Sequence, residues 1–364
     1  MRVMISGGGT GGHVFPAIAI ADALKQLRND IDILFVGANG KIEMDKVPQA
    51  GYKIIGLDIK GFRRSFSWDT VVTLFKAAKS LLKAVKLVRS FKPDVAIGVG
   101  GYASGPVLKV ASLLNVPTMI QEQNSYAGVT NKLLAKNAKK IFVAYPNMDK
   151  FFDREKIVYT GNPIRNGISS GKYSKAEAMQ KLGFPADKKL ILIMGGSLGA
   201  RTINEALVRG TDQISALKDI VLYWQAGKLY IEEFKKETIA GLDHVAIKDF
   251  IEDMAAAYAA ADIIVARAGA LTISELALVG KPAILVPSPN VAEDHQTHNA
   301  MSLVNAGAAL LIKDKDAGEQ LVPQMLALAG DEEKCAVLAD HMKKLGKPNA
   351  ADDIAKYILE ALEK

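Results

Sequence analysis

The chain has 364 residues, which at roughly 150 residues per domain predicts about two domains, and its 49% apolar and 23% charged residues exclude disorder as the main state. A single cysteine, Cys335, excludes a disulfide scaffold and favours a reducing compartment. No run approaches the ~18 uncharged apolar residues that span a bilayer, and Met1–Gly7 reaches glycine too soon for a signal peptide, so the expectation is a soluble or peripheral protein of the cytoplasm.

Short β-branched runs alternate with helical patterns from the start of the chain. Val3–Ser6, Ile31–Val36, Asp94–Val99, Thr118–Gln121 and Lys140–Val143 read as strands, with helices such as Pro16–Arg28 and Val71–Phe91 between them. The pattern restarts at Lys189–Met194 and continues through Ile220–Gln225, His244–Ile247, Asp262–Ala266 and Pro282–Val286. Strand–helix alternation predicts parallel sheets, and the unbroken apolar runs predict strands covered on both faces. Both halves open with a strand that ends in a glycine turn before a helix: Gly7-Gly8-Gly9-Thr10-Gly11-Gly12, and Gly195-Gly196-Ser197-Leu198-Gly199-Ala200. We therefore expect an α/β protein of two Rossmann-like domains, residues 1–163 and 164–349, facing a cleft. A final helix over 350–364, with no strand after it, is expected to pack back on the first domain.

A glycine turn before a helix exposes backbone N–H groups and the positive end of the helix dipole, which suit phosphate or developing negative charge. Gly7-x-Gly9-x-x-Gly12 matches the dinucleotide fingerprint in form. However, the second strand ends Phe35-Val36-Gly37-Ala38-Asn39 without the acid that would hold a ribose. Neither turn leads into Gly-Lys-Ser/Thr, so a P-loop is excluded. A better nucleotide site is Arg267-Ala268-Gly269-Ala270-Leu271-Thr272, where a strand turns into a helix carrying Glu275. That carboxylate is placed either to accept from a ribose diol or simply to meet the helix dipole. Ser197 is placed to add a hydroxyl to a diphosphate or to cap its helix. His13 directly follows the first glycine turn, where a neutral imidazole at a helix N-terminus could serve as general base. His295 and His298 have i,i+3 spacing but no cysteine or carboxylate cluster beside them, so His295 and Gln296 are read as sugar-hydroxyl contacts and no metal is expected. Asp30-Ile31-Asp32 lies at the entrance of a strand and reads as a solvated turn.

Charge is uneven along the chain. Residues 1–163 carry 23 Lys/Arg against 12 Asp/Glu, and residues 164–364 carry 23 against 27. From Lys60 to Lys92 nine basic residues face one acid, Asp69, with Phe62, Phe66 and Trp68 ahead of the helix. Lysines interleaved with aromatics suit an anionic membrane surface. No arginine-rich groove suggests nucleic acid, and none is expected as a partner.

Several of these motifs, taken in order, resemble the MurG family of bacterial peptidoglycan glycosyltransferases. They are Gly7–Ala17, Gly100-Gly101-Tyr102-Ala103-Ser104-Gly105-Pro106, Glu122-Gln123-Asn124, Gly161-Asn162-Pro163-Ile164-Arg165, Gly195–Ala200, Phe250-Ile251-Glu252-Asp253-Met254, Arg267–Thr272 and Asp294-His295-Gln296. The resemblance implies a GT-B fold and inverting transfer of GlcNAc from UDP-GlcNAc to the MurNAc C4 hydroxyl of lipid I, giving lipid II at the cytoplasmic face of the membrane without a cofactor. It implies that Thr10, Gly11, Gly12 and Tyr102 line the substrate cleft and that Asn124 contacts the sugar. Arg165 and Ser197 would meet the phosphates and Ile251 the uracil. Ala270, Leu271 and Thr272 would hold the diphosphate, Glu275 the ribose, and Gln296 with His295 the GlcNAc hydroxyls. His13 would be the base, with Glu122 and Asn131 as catalytic helpers. Where relatives often carry His before Glu-Gln-Asn, this chain has Gln121. Some relatives also have Gln-Gln in place of His295-Gln296. Two rivals share the fold: a UDP-GlcNAc 2-epimerase, which leaves the basic aromatic stretch unexplained, and a nucleotide-sugar binder without catalysis.

Overall fold

The computed structural model describes residues 1–59, 68–164, 168, 171–196, 198–217 and 219–363, with the backbone alone for 68–78, 292 and 363. Two units emerge. The first is Met1–Arg165 with Asn349–Lys364, and the second is Asn166–Pro348.

The first unit has seven strands: β1 (Arg2–Ser6), β2 (Asp32–Ala38), β3 (Lys53–Leu57), β4 (Val95–Gly98), β5 (Thr118–Glu122), β6 (Lys140–Val143) and β7 (Ile157–Tyr159). Its helices in chain order are α1 (Gly11–Leu27), α2 (Glu43–Gln49), α3 (Trp68–Phe91), α4 (Ser104–Leu113) and α5 (Val129–Ala135). The sheet is parallel throughout, in the order β3-β2-β1-β4-β5-β6-β7. Alternation along β1 sends Val3 and Ile5 to one face, with residues of α1 and α2, and Met4 to the other, with residues of α3 and α4. Both faces are buried, which is why the strand reads as continuous apolar sequence.

The second unit has β8 (Lys189–Met194), β9 (Ile220–Gln225), β10 (Val245–Lys248), β11 (Ile263–Ala266), β12 (Ala283–Leu285) and β13 (Ala309–Leu311). They form a parallel sheet in the order β10-β9-β8-β11-β12-β13. Its helices are α6 (Lys175–Leu182), α7 (Arg201–Arg209), α8 (Thr211–Ser215), α9 (Ile231–Phe234), α10 (Met254–Ala260), α11 (Ala270–Val279), α12 (His295–Val304), α13 (Ala317–Ala329) and α14 (Glu332–Lys344). The chain then returns to the first unit as α15 (Ala350–Glu363), where Ile354, Ala355 and Ile358 join the α1 side of the core.

Each sheet reverses strand order once, between β1 and β4 and between β8 and β11. Ligands of open α/β sheets bind beyond the carboxyl ends of the strands at such reversals. The four turns that follow these strands are Gly7–Thr10, Val99–Ala103, Gly195–Ala200 and Arg267–Gly269, all rich in glycine or small residues. Three strands escape the sequence reading: β3, β7 and β13. All three are sheet edges, and β7 and β13 are three residues each, too short for a periodic signal. Helix α1 begins five residues before the expected Pro16, so Pro16 lies inside it and has no N–H to give the Gly12 carbonyl.

Among the described residues no helix is long and apolar enough to cross a membrane. Of the basic stretch, Lys60, Phe62, Arg63, Arg64 and Phe66 and the side chain of Trp68 lie outside what is described. In the described half of α3, Ser80, Ala84 and Val88 are buried, while Lys79, Lys86, Arg89 and Leu82 are exposed.

Candidate active site

In the first unit, His13 is the third residue of α1 and half-buried. Its Nδ1 lies 3.0 Å from the hydroxyl of Thr10. Thr10 occupies the N-cap position, but its hydroxyl makes no cap bond. When Nδ1 carries the proton and donates to Thr10, Nε2 is the basic nitrogen. The ring edge lies over Gly100, whose φ is +85°. A Cβ there would stand 2.8 Å from Nε2 and 3.6 Å from Gln123 Oε1, so only glycine leaves room for this imidazole.

Glu122 and Asn131, expected as helpers of the base, are hydrogen-bonded to each other at the end of β5. Glu122 closes β5 and is buried. Its carboxylate accepts from Asn124 N at 3.0 Å, Gly128 N at 3.0 Å, Asn131 Nδ2 at 2.8 Å and Asn124 Nδ2 at 3.4 Å. Burial pushes its pKa up, and these donors oppose the shift. A carboxylate ringed by N–H donors organises the 122–131 loop and is poorly placed to take a substrate proton. Asn131 is buried behind it, and Asn124 is tied to the same carboxylate. Tyr102, by contrast, is exposed in the turn after β4.

Gln121, just before the Glu-Gln-Asn run, is buried and held by other amides. Its Nε2 donates to Asn162 Oδ1 at 2.9 Å, and its Oε1 accepts from Gln123 Nε2. Asn162 Nδ2 donates to the Gln123 carbonyl at 3.0 Å, and Gln123 Nε2 also donates to the Val99 carbonyl at 2.8 Å. Two backbone carbonyls therefore fix the orientation of all three amides. Gln123 Oε1 is left buried with no hydrogen-bond partner among the described residues, close to Gly100 and the imidazole edge.

A residue the sequence reading missed is Glu43, at the start of α2. Its buried carboxylate accepts from Gly9 N at 2.8 Å and Ala38 N at 3.0 Å. A Cβ on Gly8, at φ +143°, would collide with it. The first glycine turn is thus built around a carboxylate that consumes the Gly9 N–H. That disfavours phosphate at this point and suits a neutral, hydroxyl-bearing ligand. The only signal in the sequence was an acid five residues beyond β2, which is not where a ribose-binding acid stands.

The second unit presents donors. Gly269 is the N-cap of the ten-residue α11 and supplies no side-chain cap. The first-turn N–H groups, those of Leu271 and Thr272 among them, therefore point out of the helix end beside the β8/β11 reversal. Glu275 lies in the next turn, where one carboxylate oxygen accepts from the Tyr258 hydroxyl at 2.8 Å. Gln296 Oε1 accepts from Ala268 N at 3.2 Å and Ser288 N at 2.9 Å. It joins the turns after β11 and β12 through that one oxygen. His295 opens α12 after Glu293 and Asp294, both with left-handed backbone at φ 54° and 49°. Ile251 N–H donates to Gln225 Oε1 at 2.9 Å. Arg165 and Ser197 lie outside the described residues. Among the described residues no group of three or more His, Cys, Asp or Glu side chains is arranged to hold a metal ion.

Two family models match the chain. Residues 3–143 match the glycosyltransferase family 28 N-terminal domain, and residues 190–357 match its C-terminal domain. The chain is 52% identical over 362 residues to a Bacteroides fragilis protein, covering 99% of this chain and 95% of that one. It is 48% identical to one from Flavobacterium psychrophilum, covering 100% and 98%. Both are named UDP-N-acetylglucosamine–N-acetylmuramyl-(pentapeptide) pyrophosphoryl-undecaprenol N-acetylglucosamine transferase. The crystal structure of Acinetobacter baumannii MurG superposes with a TM-score of 0.77 at 30% identity, covering 99% of each chain. A Neisseria meningitidis UDP-GlcNAc 2-epimerase superposes at 0.70 with 16% identity, over 99% of this chain and 100% of that one, which is a likeness of fold alone.

Proposed function

The chain belongs to the MurG group of glycosyltransferase family 28, and from that membership we propose how its residues carry out the transfer. It is an N-acetylglucosaminyltransferase with a two-domain GT-B fold, and it moves GlcNAc from UDP-GlcNAc to lipid I, forming lipid II. In our reading, the second unit takes the nucleotide sugar. The diphosphate meets the N–H groups of Ala270, Leu271 and Thr272 at the start of α11, with Ser197 and Arg165 as further partners. The Ile251 carbonyl reads the uracil, since its N–H is held by Gln225. Glu275 takes the ribose, and His295 and Gln296 read the sugar. The first unit takes the acceptor, with Thr10, Gly11, Gly12, Tyr102 and Asn124 lining its place.

The MurNAc C4 oxygen attacks the anomeric carbon of GlcNAc, and its proton passes to His13 Nε2. The bond from that carbon to the diphosphate oxygen breaks on the opposite face, which inverts the configuration. UDP leaves with its growing charge met by the helix N-terminus, an electrostatic role fixed before the reaction begins. The single observation that carries this assignment is the start of α11, which has no side-chain cap, at the β8/β11 reversal. The exposed basic face of α3, with Leu82 among its lysines, supports a peripheral hold on an anionic membrane at the cytoplasmic face, where the lipid-linked acceptor sits.

UDP release from UDP-GlcNAc, measured with and without a lipid I analogue, tests the reading. Release is expected only with the analogue. Acceptor-independent release accompanied by N-acetylmannosamine would move the assignment to an epimerase. A related expectation concerns Gly100→Ala. The added methyl pushes the imidazole aside, and kcat should fall by about 10²-fold while the KM for UDP-GlcNAc holds, both read by steady-state kinetics.

A further inference from the structure

Gln225 is the last residue of β9 and is 5% exposed. Its Nε2 donates to the Gly196 carbonyl at 2.9 Å, and its Oε1 accepts from the Ile251 N–H at 2.9 Å. Both partners are backbone groups of fixed sense, so the amide has one orientation. Gly196 belongs to the turn after β8 and Ile251 to the loop after β10, and β9 lies between those two strands. One uncharged side chain therefore spans two loops that have no ladder between them.

The far side of the Ile251 loop is also held. Asp253 accepts from Ala256 N at 3.0 Å as the cap of α10, and it pairs with Lys181 of α6. That loop is thus anchored to the body of the unit at Asp253 and to the glycine turn at Gln225. An amide ties the loops without adding charge beside a diphosphate. A carboxylate would repel it, and a lysine could not accept the Ile251 N–H.

We infer that Gln225 is a positioning residue that sets the spacing between the nucleobase and diphosphate subsites, so that a nucleoside diphosphate is met by both at once. This rests on the nucleotide reading proposed above and adds to it a residue that touches neither end of the ligand. When two subsites are held at the right separation, binding at one makes binding at the other intramolecular, and the whole ligand gains over its parts. Loosening the tie should spare each part and penalise the whole.

The test compares UDP with uridine on the full-length protein, UDP by titration calorimetry and uridine by competition against UDP. Two variants are used: Gln225→Met, which keeps the bulk and loses both bonds, and Gln225→Asn, which is one carbon short and cannot span both loops. In each, UDP affinity is expected to fall by about tenfold while uridine changes by less than about threefold. The advantage of UDP over uridine therefore shrinks. An unchanged advantage, whether both affinities hold or both fall by one factor, overturns the inference and leaves the nucleotide reading intact. Failure of the unaltered protein to bind UDP overturns both.

Discussion

Replacing His13 with alanine is expected to lower kcat by about 10²–10⁴-fold, the usual worth of a positioned general base. The KM for UDP-GlcNAc should stay within about twofold, because the donor is assigned to the other unit. The geometry behind this is specific. Thr10 holds Nδ1 at 3.0 Å, Gly100 leaves space only for the ring edge, and the carboxylate of Glu122 already accepts from N–H donors. Thr10→Val, which keeps the shape and removes the hydroxyl, should lose about tenfold in kcat by releasing the tautomer. Steady-state rates at saturating donor and acceptor check both. Turnover unchanged in His13→Ala would remove the imidazole from the chemistry.

The second large effect is expected in stability. Glu122→Ala takes away the acceptor of three close N–H donors and leaves a cavity at the end of β5. Each buried donor left unmet costs about 1–3 kcal/mol, so a loss of about 3–5 kcal/mol is expected once the loop has partly relaxed. For a unit of this size that corresponds to about 6–20 °C in the melting temperature, read by scanning calorimetry. Glu122→Gln should also destabilise, by about 1–3 kcal/mol, because one oxygen becomes an NH₂ facing other donors. A residue acting as base would behave in the opposite way, with Glu122→Gln folding normally and losing turnover. The two variants together therefore separate a loop organiser from a proton acceptor.

The frame of the molecule was legible because strands buried on both faces leave continuous apolar runs, and glycine turns mark where those strands end. The strands of the sheet interiors came out within a residue or two of their observed limits. The edges β3, β7 and β13 did not, because two of them are three residues long and an edge strand has less surface to bury. At the site, the legible residues were those whose type announces their chemistry, such as a histidine after a glycine turn and a helix opening on Ala-Leu-Thr. The residues that could not be read are neutral amides and one acid that work on the backbone. Gln225, Gln123, Gln121 and Asn162 look like any polar residue at a strand end. Their value lies in which carbonyl and which N–H they join, a relation across 26 residues for Gln225 and Ile251 and 41 for Gln121 and Asn162. Glu43 was missed for the same reason, since its partner Gly9 is 34 residues away. The hydrogen bonds of Glu122 were equally hidden, since two of its donors, Gly128 and Asn131, lie six and nine residues further on.

Two glycine turns that look alike in sequence therefore have opposite chemistry. The first is braced by the Glu43 carboxylate, whereas the second belongs to the unit in which the Leu271 and Thr272 N–H groups open α11. The direct measurement of this difference is a crystal structure with UDP-GlcNAc bound. The diphosphate is expected within hydrogen-bond distance of the Leu271 and Thr272 N–H groups, with uracil against the Ile251 carbonyl and none of the phosphate oxygens near Gly9. Diphosphate seated instead on Gly9, Gly11 and Gly12, with the α11 terminus empty, would contradict the account.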